Sequence, residues 1–292
     1  MKINLQRRES WVFTLSSLVI ILLVSIAVFS TIGSANINVL TTIKIVFSKI
    51  PIIQNYIDID SIPKSYQAII FNIRIPRILV GVLVGAALSS VGAAFQGMFK
   101  NPMADPYVIG ISSGAALGAT LVIITGINIV LFNISSISIG AFLGAMVSTF
   151  IVYFVSKVKN KVPVTTLLLS GIAVGQFFTA IMSFLMVIHS NDLSKIIYWT
   201  LGSFSGKGWN QLLTILFPIC IAIGLLIFLS RDLNIMLTGE ESAKNLGLNV
   251  EKTKIVILVL CSFITAMAVS VSGIIGFVGL IIPHIVRLKK CQ

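Results

Sequence analysis

The sequence predicts an all-α protein that crosses a membrane several times. Of its 292 residues, 57% are hydrophobic and 10% are charged, whereas roughly a quarter of the residues in a soluble domain carry a charge. Long uncharged runs recur, among them residues 11–32 and the 51 residues from 106 to 156. Because about 20 apolar residues cross a bilayer as one helix, the longer run should hold two spans.

The first span is predicted over residues 11–32, directly after Arg7 and Arg8. Its 22 uncharged residues exceed the apolar core of a signal peptide, which is about 7 to 15 residues long. We therefore expect a retained helix that enters the membrane from a basic cytoplasmic end. A mixed loop is predicted to follow over residues 33–70.

The second span is predicted over residues 78–99, which carry no charge. Pro76 can open this span in its first turn, where a missing N–H is harmless. Two prolines and two charges within residues 100–106 should end it. The run 106–156 should then form two spans that turn near residues 126–136.

The second half of the chain continues this pattern. Further spans are predicted at residues 162–191, 209–230 and 255–272, and an outer loop covers residues 192–208. Three glycines then precede a short apolar piece, and that piece is closed by Pro283, His284 and Arg287. This pattern is typical of a discontinuous helix buried among other helices. His284 is either an interface or capping residue or a proton relay.

These eight segments, with the N-terminus inside, put both termini in the cytoplasm of a cell-membrane protein. This topology leaves 14 of the 21 basic residues on the cytoplasmic side, in the direction of the positive-inside rule. We treat residues 1–292 as a single transmembrane domain. Small residues four apart, which allow close helix packing, occur at Gly81/Gly85, Gly110/Gly114/Gly118, Gly140/Gly144 and Gly171/Gly175.

Residues 231–254 form a long charged stretch between two apolar runs, and we expect it in the cytoplasm. A short helix is predicted over residues 239–246. Thr238 and Glu241 have the spacing of a capping box, and Gly247 is a natural helix stop.

This short helix offers few contacts of its own. Glu240 and Lys244 have the spacing of an ion pair, which when exposed should contribute only tenths of a kcal/mol. Ala243 and Leu246 form a small apolar stripe, and Asn249 can cap the helix that follows. A helix this short is unstable alone, so it should pack against its own spans or another protein, unless the stretch is an ordinary connector.

Several classes of function are disfavoured by the sequence. The net charge of +12 comes from basic residues scattered at loop ends, which argues against nucleic-acid binding. Cys220, Cys261 and Cys291 have no disulfide or metal spacing, and no cofactor is expected. Residues 202–208, GSFSGKG, have the wrong spacing for a phosphate-binding loop and end in Gly208 where Ser or Thr is required. We therefore do not expect an enzyme.

Residues 72–119, NIRIPRILVGVLVGAALSSVGAAFQGMFKNPMADPYVIGISSGAALGA, resemble the signature of the FecCD family of ABC-transporter permeases. The resemblance continues through LLLSGIAVG (167–175), YWTLGSFSG (198–206), GEESAKNLGLNV (239–250) and SGIIGFVGLIIPHIVRL (272–288). It covers nearly the whole chain in the right order. It implies the helical bundle of a type II ABC importer permease, the class that includes the cobalamin permease.

The resemblance also implies partners and a cargo. Two permease subunits, as a homodimer or heterodimer, would enclose a pathway between them in the lipid bilayer. Two cytoplasmic ATP-binding subunits would drive transport. An extracytoplasmic binding protein would deliver an iron siderophore, haem or cobalamin.

Specific residues take roles from the family by position. Arg74 and Arg77 match outward arginines that dock the binding protein. Asn101 and Met103 match one part of a cytoplasmic gate, and Val164 and Thr165 match the other. Residues 239–247 match the coupling helix that rests on the ATPase, with Gly239, Glu240, Ala243, Leu246 and Gly247 as its site residues.

The sequence also departs from the family pattern. Family members continue for two more spans past the proline-histidine stretch, so we expect a C-terminally truncated permease. A non-transporting remnant is thus one alternative. A transporter driven by an ion gradient is another, although it would need carboxylates within the membrane, and the nine acidic residues all lie in loops or at span ends.

Overall fold

The computed structural model describes residues 2–35, 37–48, 59, 62–131, 134–159 and 161–288. The helices are α1 (Lys2–Thr31), α2 (Val39–Phe47), α3 (Lys64–Ala68), α4 (Ile75–Met98), α5 (Ile111–Thr125), α6 (Ser136–Ser156), α7 (Val164–Ile188), α8 (Leu193–Thr200), α9 (Trp209–Phe228), α10 (Ser230–Leu237), α11 (Glu240–Asn245), α12 (Val250–Ser272) and α13 (Val278–Leu288). A π-helical segment covers Ile69–Arg74, a 3-10 turn covers Ser190–Asp192, and strands β1 (Val130–Leu131) and β2 (Ile134–Ser135) pair antiparallel.

The predicted all-α class is confirmed. Within the described residues, six helical stretches are long and apolar enough to cross a membrane, and α5 and α13 are shorter apolar helices. Together they match the eight predicted segments. The Cα packing divides the chain into one unit of residues 1–80 with 206–209 and another of residues 81–205 with 210–292. The single domain over 1–292 stays a prediction.

In the first unit, much of the predicted loop 33–70 is helical, so that prediction was wrong. Asn38 caps α2 by accepting a hydrogen bond from the backbone N–H of Leu40. Ile45 of α2 is buried in a small apolar cluster with Ile37, Ile62 and Ile70. Helix α2 is hard to predict from the sequence, because it contains the charged Lys44 and several β-branched residues, and β-branching lowers helix propensity.

The second span is longer than predicted, because it is helical from Lys64 to Met98. Pro76 lies in the first turn of α4, as predicted, but the helix does not start there. The wider turns of the π segment precede it, and Ile75 donates its N–H to the carbonyl of Ile70, five residues back. A π turn rearranges the hydrogen bonds just where proline removes a donor.

In the second unit, α5 and α6 form a tight hairpin whose turn includes β1 and β2. A β-carbon on Gly118 would overlap the carbonyl of Gly140, and one on Gly114 would lie 2.5 Å from the carbonyl oxygen of Gly144. The predicted close approach is thus confirmed for these spans. A β-carbon on Gly81 would instead make ordinary contact, at 3.6 Å, with Phe204.

Helix α12 forms the core of the second unit and packs against α5 and α6. It ends before Gly273, whose φ of +70° favours glycine. The hydroxyl of Tyr107 donates to the carbonyl of Ile275 at 3.0 Å, and Ser203 donates its N–H to the carbonyl of Ser272 at 2.7 Å. Protein donors therefore bind carbonyls both at the end of α12 and in the non-helical backbone that follows it.

Two predicted boundaries also change in this unit. The outer loop 192–208 contains helix α8. Pro283 lies inside α13 and does not close it. A hydrogen bond from Nε2 of Gln96 to the carbonyl of Leu280, at 3.1 Å, fixes α13 against α4.

Candidate coupling segment and gate

The predicted coupling segment folds as α11 between α10 and α12. Its end is a Schellman motif, in which Leu248 donates to the carbonyl of Ala243 and Gly247 donates to the carbonyl of Lys244. Gly247 has the left-handed φ of +85° that this motif requires. The predicted stop is therefore confirmed, and α11 is a defined element with a fixed exit.

The start of α11 differs from the prediction. The hydroxyl of Thr238 donates back to the carbonyl of Ile235 at 2.8 Å, so it closes α10 and the capping box with Glu241 was wrong. The residue before α11 is Gly239, with a φ of +129°. The next cap is as predicted, because the side chain of Asn249 accepts from the N–H of Lys252 at 3.1 Å.

The two residues of the predicted apolar stripe point in different directions. Ala243 is 0% exposed and packs within the chain, whereas Leu246 is 70% exposed. The prediction that the two residues form one apolar stripe was therefore wrong. Residue Leu246 alone offers a large apolar group to another molecule, and Ala243 lets α11 lie close to its own bundle.

Glu240 bonds a different lysine from the one predicted. Nζ of Lys254, which is 6% exposed, donates to Oε1 of Glu240 at 2.6 Å. This hydrogen bond lowers the pKa of Glu240 below its ordinary 4.5; burial opposes the shift, and the charges of Lys244 and Lys100 add to it. The predicted partner Lys244 thus affects Glu240 only through its charge, and the hydrogen bond comes from Lys254.

Lys254 also approaches a second carboxylate. Its Nζ lies 3.7 Å from Oε1 of Glu251, and Oε2 of Glu251 accepts the backbone N–H of Val162 at 3.1 Å. Sequence reasoning missed both roles and used Lys254 only to mark where a span begins. An acid and a base three residues apart, at the start of an apolar run, are the signal that could have found them.

The gate residues lie in two segments of the second unit. Oδ1 of Asn101 accepts the N–H of Met103 at 2.9 Å, and this turn leaves the Met103 side chain exposed. Val164 and Thr165 open α7 directly after Pro163. Backbone geometry thus fixes both pairs, and their role in a gate stays a prediction.

A small apolar cleft brings one of these segments beside α12. Its lining consists of Met98, Phe99, Val162, Val164, Leu167, Lys254, Ile255 and Leu258. Val164 is the gate residue that lines the cleft. Asn101, Met103 and Thr165 lie outside this lining within the part of the chain that the structure describes.

The two predicted docking arginines differ in exposure. Arg74 is 8% exposed, and its guanidinium donates to the carbonyls of Ser30, Thr31 and Ala35 at 2.9, 2.8 and 2.5 Å. Its position at the C-terminal end of α1 gives it a structural role that the sequence did not reveal. Arg77 is exposed. The docking role stays a prediction, and the geometry favours Arg77.

The fold and these segments define a multi-pass helical membrane protein with a short charged helix between two long spans. The chain belongs to the FecCD transport family, whose model matches residues 18–289. A solved structure of an ABC transporter assigned to the metal-chelate type, in an inward-facing conformation, is similar with a TM-score of 0.78 and 30% identity. That match covers 96% of this chain and 82% of the solved one.

Curated relatives include permeases of several import systems. The cobalamin import system permease BtuC of Halobacterium salinarum is 42% identical over 78% of this chain and 60% of its own length. The hemin transport system permease HmuU of Yersinia pestis is 39% identical over 75% and 66%. The Fe(3+)-citrate import system permease YfmD of Bacillus subtilis is 36% identical over 76% and 65%. The chain thus spans about two thirds or less of these relatives.

Proposed function

We propose that this chain is the membrane permease subunit of an ATP-driven importer for an iron siderophore, haem or cobalamin. Membership of the FecCD transport family and the similarity to an ABC transporter support the class. The names of the relatives support a metal-containing cargo, because they refer to cobalamin, hemin and Fe(3+)-citrate.

The proposed assembly has three kinds of partner. A second permease copy completes the pathway, two cytoplasmic ATP-binding subunits hydrolyse ATP, and an extracytoplasmic binding protein supplies the cargo. The permease itself carries out no chemistry in this proposal. Both termini, α11 and the gate residues lie on the cytoplasmic side, and Arg77 faces the binding protein.

The single observation that carries the coupling role is the exposure of Leu246 directly after α11, a helix that Ala243 and Glu240 hold to its own bundle. A coupling element must present an apolar contact and must also move with the membrane helices. Leu246 supplies the contact, since burying a leucine side chain stabilises an interface by about 1.5 to 3 kcal/mol. The Schellman end of α11 and its continuity with α12 supply the rigidity.

The test is co-purification of the permease with a co-expressed ATP-binding subunit in detergent. We expect Leu246→Asp to lose most of the ATP-binding subunit while membrane insertion is unchanged. Leu201→Asp is the matched control, because Leu201 is also 70% exposed but lies in the loop after α8. Equal retention of the ATP-binding subunit by both variants would show that α11 is only a connector.

A further inference from the structure

We propose that Lys254 is a positioning residue that fixes α11 and the turn before α7 to α12, so that these three elements move as one body. The proposal deepens the proposed function and rests on it only where α11 is taken to meet an ATP-binding subunit. Its basis is the buried ammonium group of Lys254, which lies near the carboxylates of Glu240 on α11 and Glu251 on α12. The Glu251 carboxylate also accepts a backbone hydrogen bond from the turn before α7.

The burial of Lys254 requires this arrangement. An ammonium group away from water is strongly unfavourable unless charges and hydrogen bonds compensate it. Glu240, from α11, supplies the close contact at 2.6 Å, and Glu251, one turn back on α12, supplies a second charge at 3.7 Å. The position of α11 is therefore set by a side chain of α12.

The second half of the link runs through Glu251 to the turn between α6 and α7. Its other oxygen holds the N–H of Val162, two residues before α7 begins. Val158 and Lys161 exchange backbone hydrogen bonds within this turn at 2.9 Å each. A displacement of the turn is thus transmitted as a unit to the first residues of α7, among them Val164.

Lys254 also adds an apolar contact to the polar link. It lines the cleft that Val162 and Val164 share with Met98. Methionine has a similar length and no charge, so Lys254→Met keeps this lining and removes only the ammonium. The carboxylates left behind are partly exposed, with side chains 44% and 22% accessible for Glu240 and Glu251, and water can solvate them.

The first experiment is hydrogen exchange of the permease in detergent, read at residues 240–248 and at the amides of Lys161 and Val162. Lys254→Met should raise exchange in both segments, by roughly two- to fivefold in 240–248, the scale of a partly exposed ion pair. Lys252→Met is the matched control, because Lys252 is an exposed lysine on the same helix, and it should change neither segment.

Two further variants separate the halves of the link and keep the test valid if Lys254→Met does not insert. Glu240→Gln should loosen residues 240–248 alone, and Glu251→Gln should loosen residues 161–162 alone. If either variant leaves its own segment as protected as in the parent chain, or if Lys254→Met loosens only one segment, the link does not exist as proposed.

A second measurement separates this inference from the proposed function. In the assembled transporter, Lys254→Met should retain the ATP-binding subunit, because Leu246 is intact, but should import less cargo per ATP hydrolysed. Lys254→Arg, which keeps the charge, should restore the import ratio. An unchanged ratio would reduce the link to a purely structural one and overturn the positioning role. Failure of Leu246→Asp to release the ATP-binding subunit would instead overturn the proposed function and leave the exchange result standing.

Discussion

A β-carbon placed on Gly33 would lie 2.7 Å from Nη2 of Arg74. The guanidinium lies directly against this backbone while it binds the carbonyls that end α1. The last carbonyls of a helix lack partners within the helix, and a positive charge there also favours the helix dipole. Gly33 and Arg74 therefore form one structural unit: the glycine provides the space and the arginine closes the helix.

The first prediction is that Gly33→Ala destabilises the protein. The added methyl group must displace the guanidinium and weaken its hydrogen bonds, each worth about 1.5 to 3 kcal/mol when charged. We expect a lower midpoint of thermal unfolding in detergent. Gly224→Ala, within α9, is the control, because its added carbon would meet nothing within 4 Å among the described residues. If both variants have the midpoint of the parent chain, the contact is not needed.

The second prediction is that the two arginines have separate roles. Arg74→Ala should lower the unfolding midpoint, because it leaves three carbonyls without their donor. Arg77→Ala should leave the midpoint unchanged and weaken binding-protein affinity by about 1.5 to 3 kcal/mol at low salt. The measurements are thermal unfolding and titration with the binding protein. Full affinity of Arg77→Ala would remove the docking role.

The spans could be predicted because a bilayer demands a minimum length of uncharged chain, and this demand is visible in residues 136–156 as a simple run. The interior roles could not. Nothing in the sequence around Arg74 shows that its side chain is buried. Only the fold brings its guanidinium to the carbonyls at the end of α1. Glu240 was assigned to Lys244 on the same helix, because a local rule cannot see Lys254, which the turn after α11 brings close.

Glycine spacing is an intermediate case. The same small-xxx-small pattern predicted close packing for Gly114 and Gly118, which is correct, and for Gly85, beside which the described residues leave open space within 4 Å. The pattern indicates that another helix can pack closely against this one. Which helix packs there, and against which face, is determined by the tertiary structure. The same holds for the gate residues. The structure gives their backbone positions, but no local sequence pattern predicts how they move.

The third prediction concerns the α5–α6 hairpin. Gly118→Leu should separate the helices, because even a β-carbon overlaps the carbonyl of Gly140. Overpacking of this kind costs about 1 to 3 kcal/mol or more. Gly85→Leu is the matched control in α4, and it should be far milder. The measurement is the yield and unfolding midpoint of detergent-purified protein, and equal values for the two variants would contradict the packing.

The last prediction is a pH dependence of α11. The pKa of Glu240 is lowered in the folded chain from its ordinary 4.5, mainly by the hydrogen bond from Lys254. A lowered carboxyl pKa stabilises the fold above the ordinary value, and the stabilisation is lost as the pH falls through the folded value. Protection of residues 240–248 should therefore hold from neutral pH to about 4.5 and decline below it.

The measurement is the difference in hydrogen exchange between the parent chain and Glu240→Gln at each pH. The pH dependence of the intrinsic exchange rates is common to both chains and cancels in this difference. Because Gln cannot form the ion pair, the difference should be present at neutral pH and disappear in acid; a difference that stays constant with pH would mean that the charge of Glu240 does not hold α11.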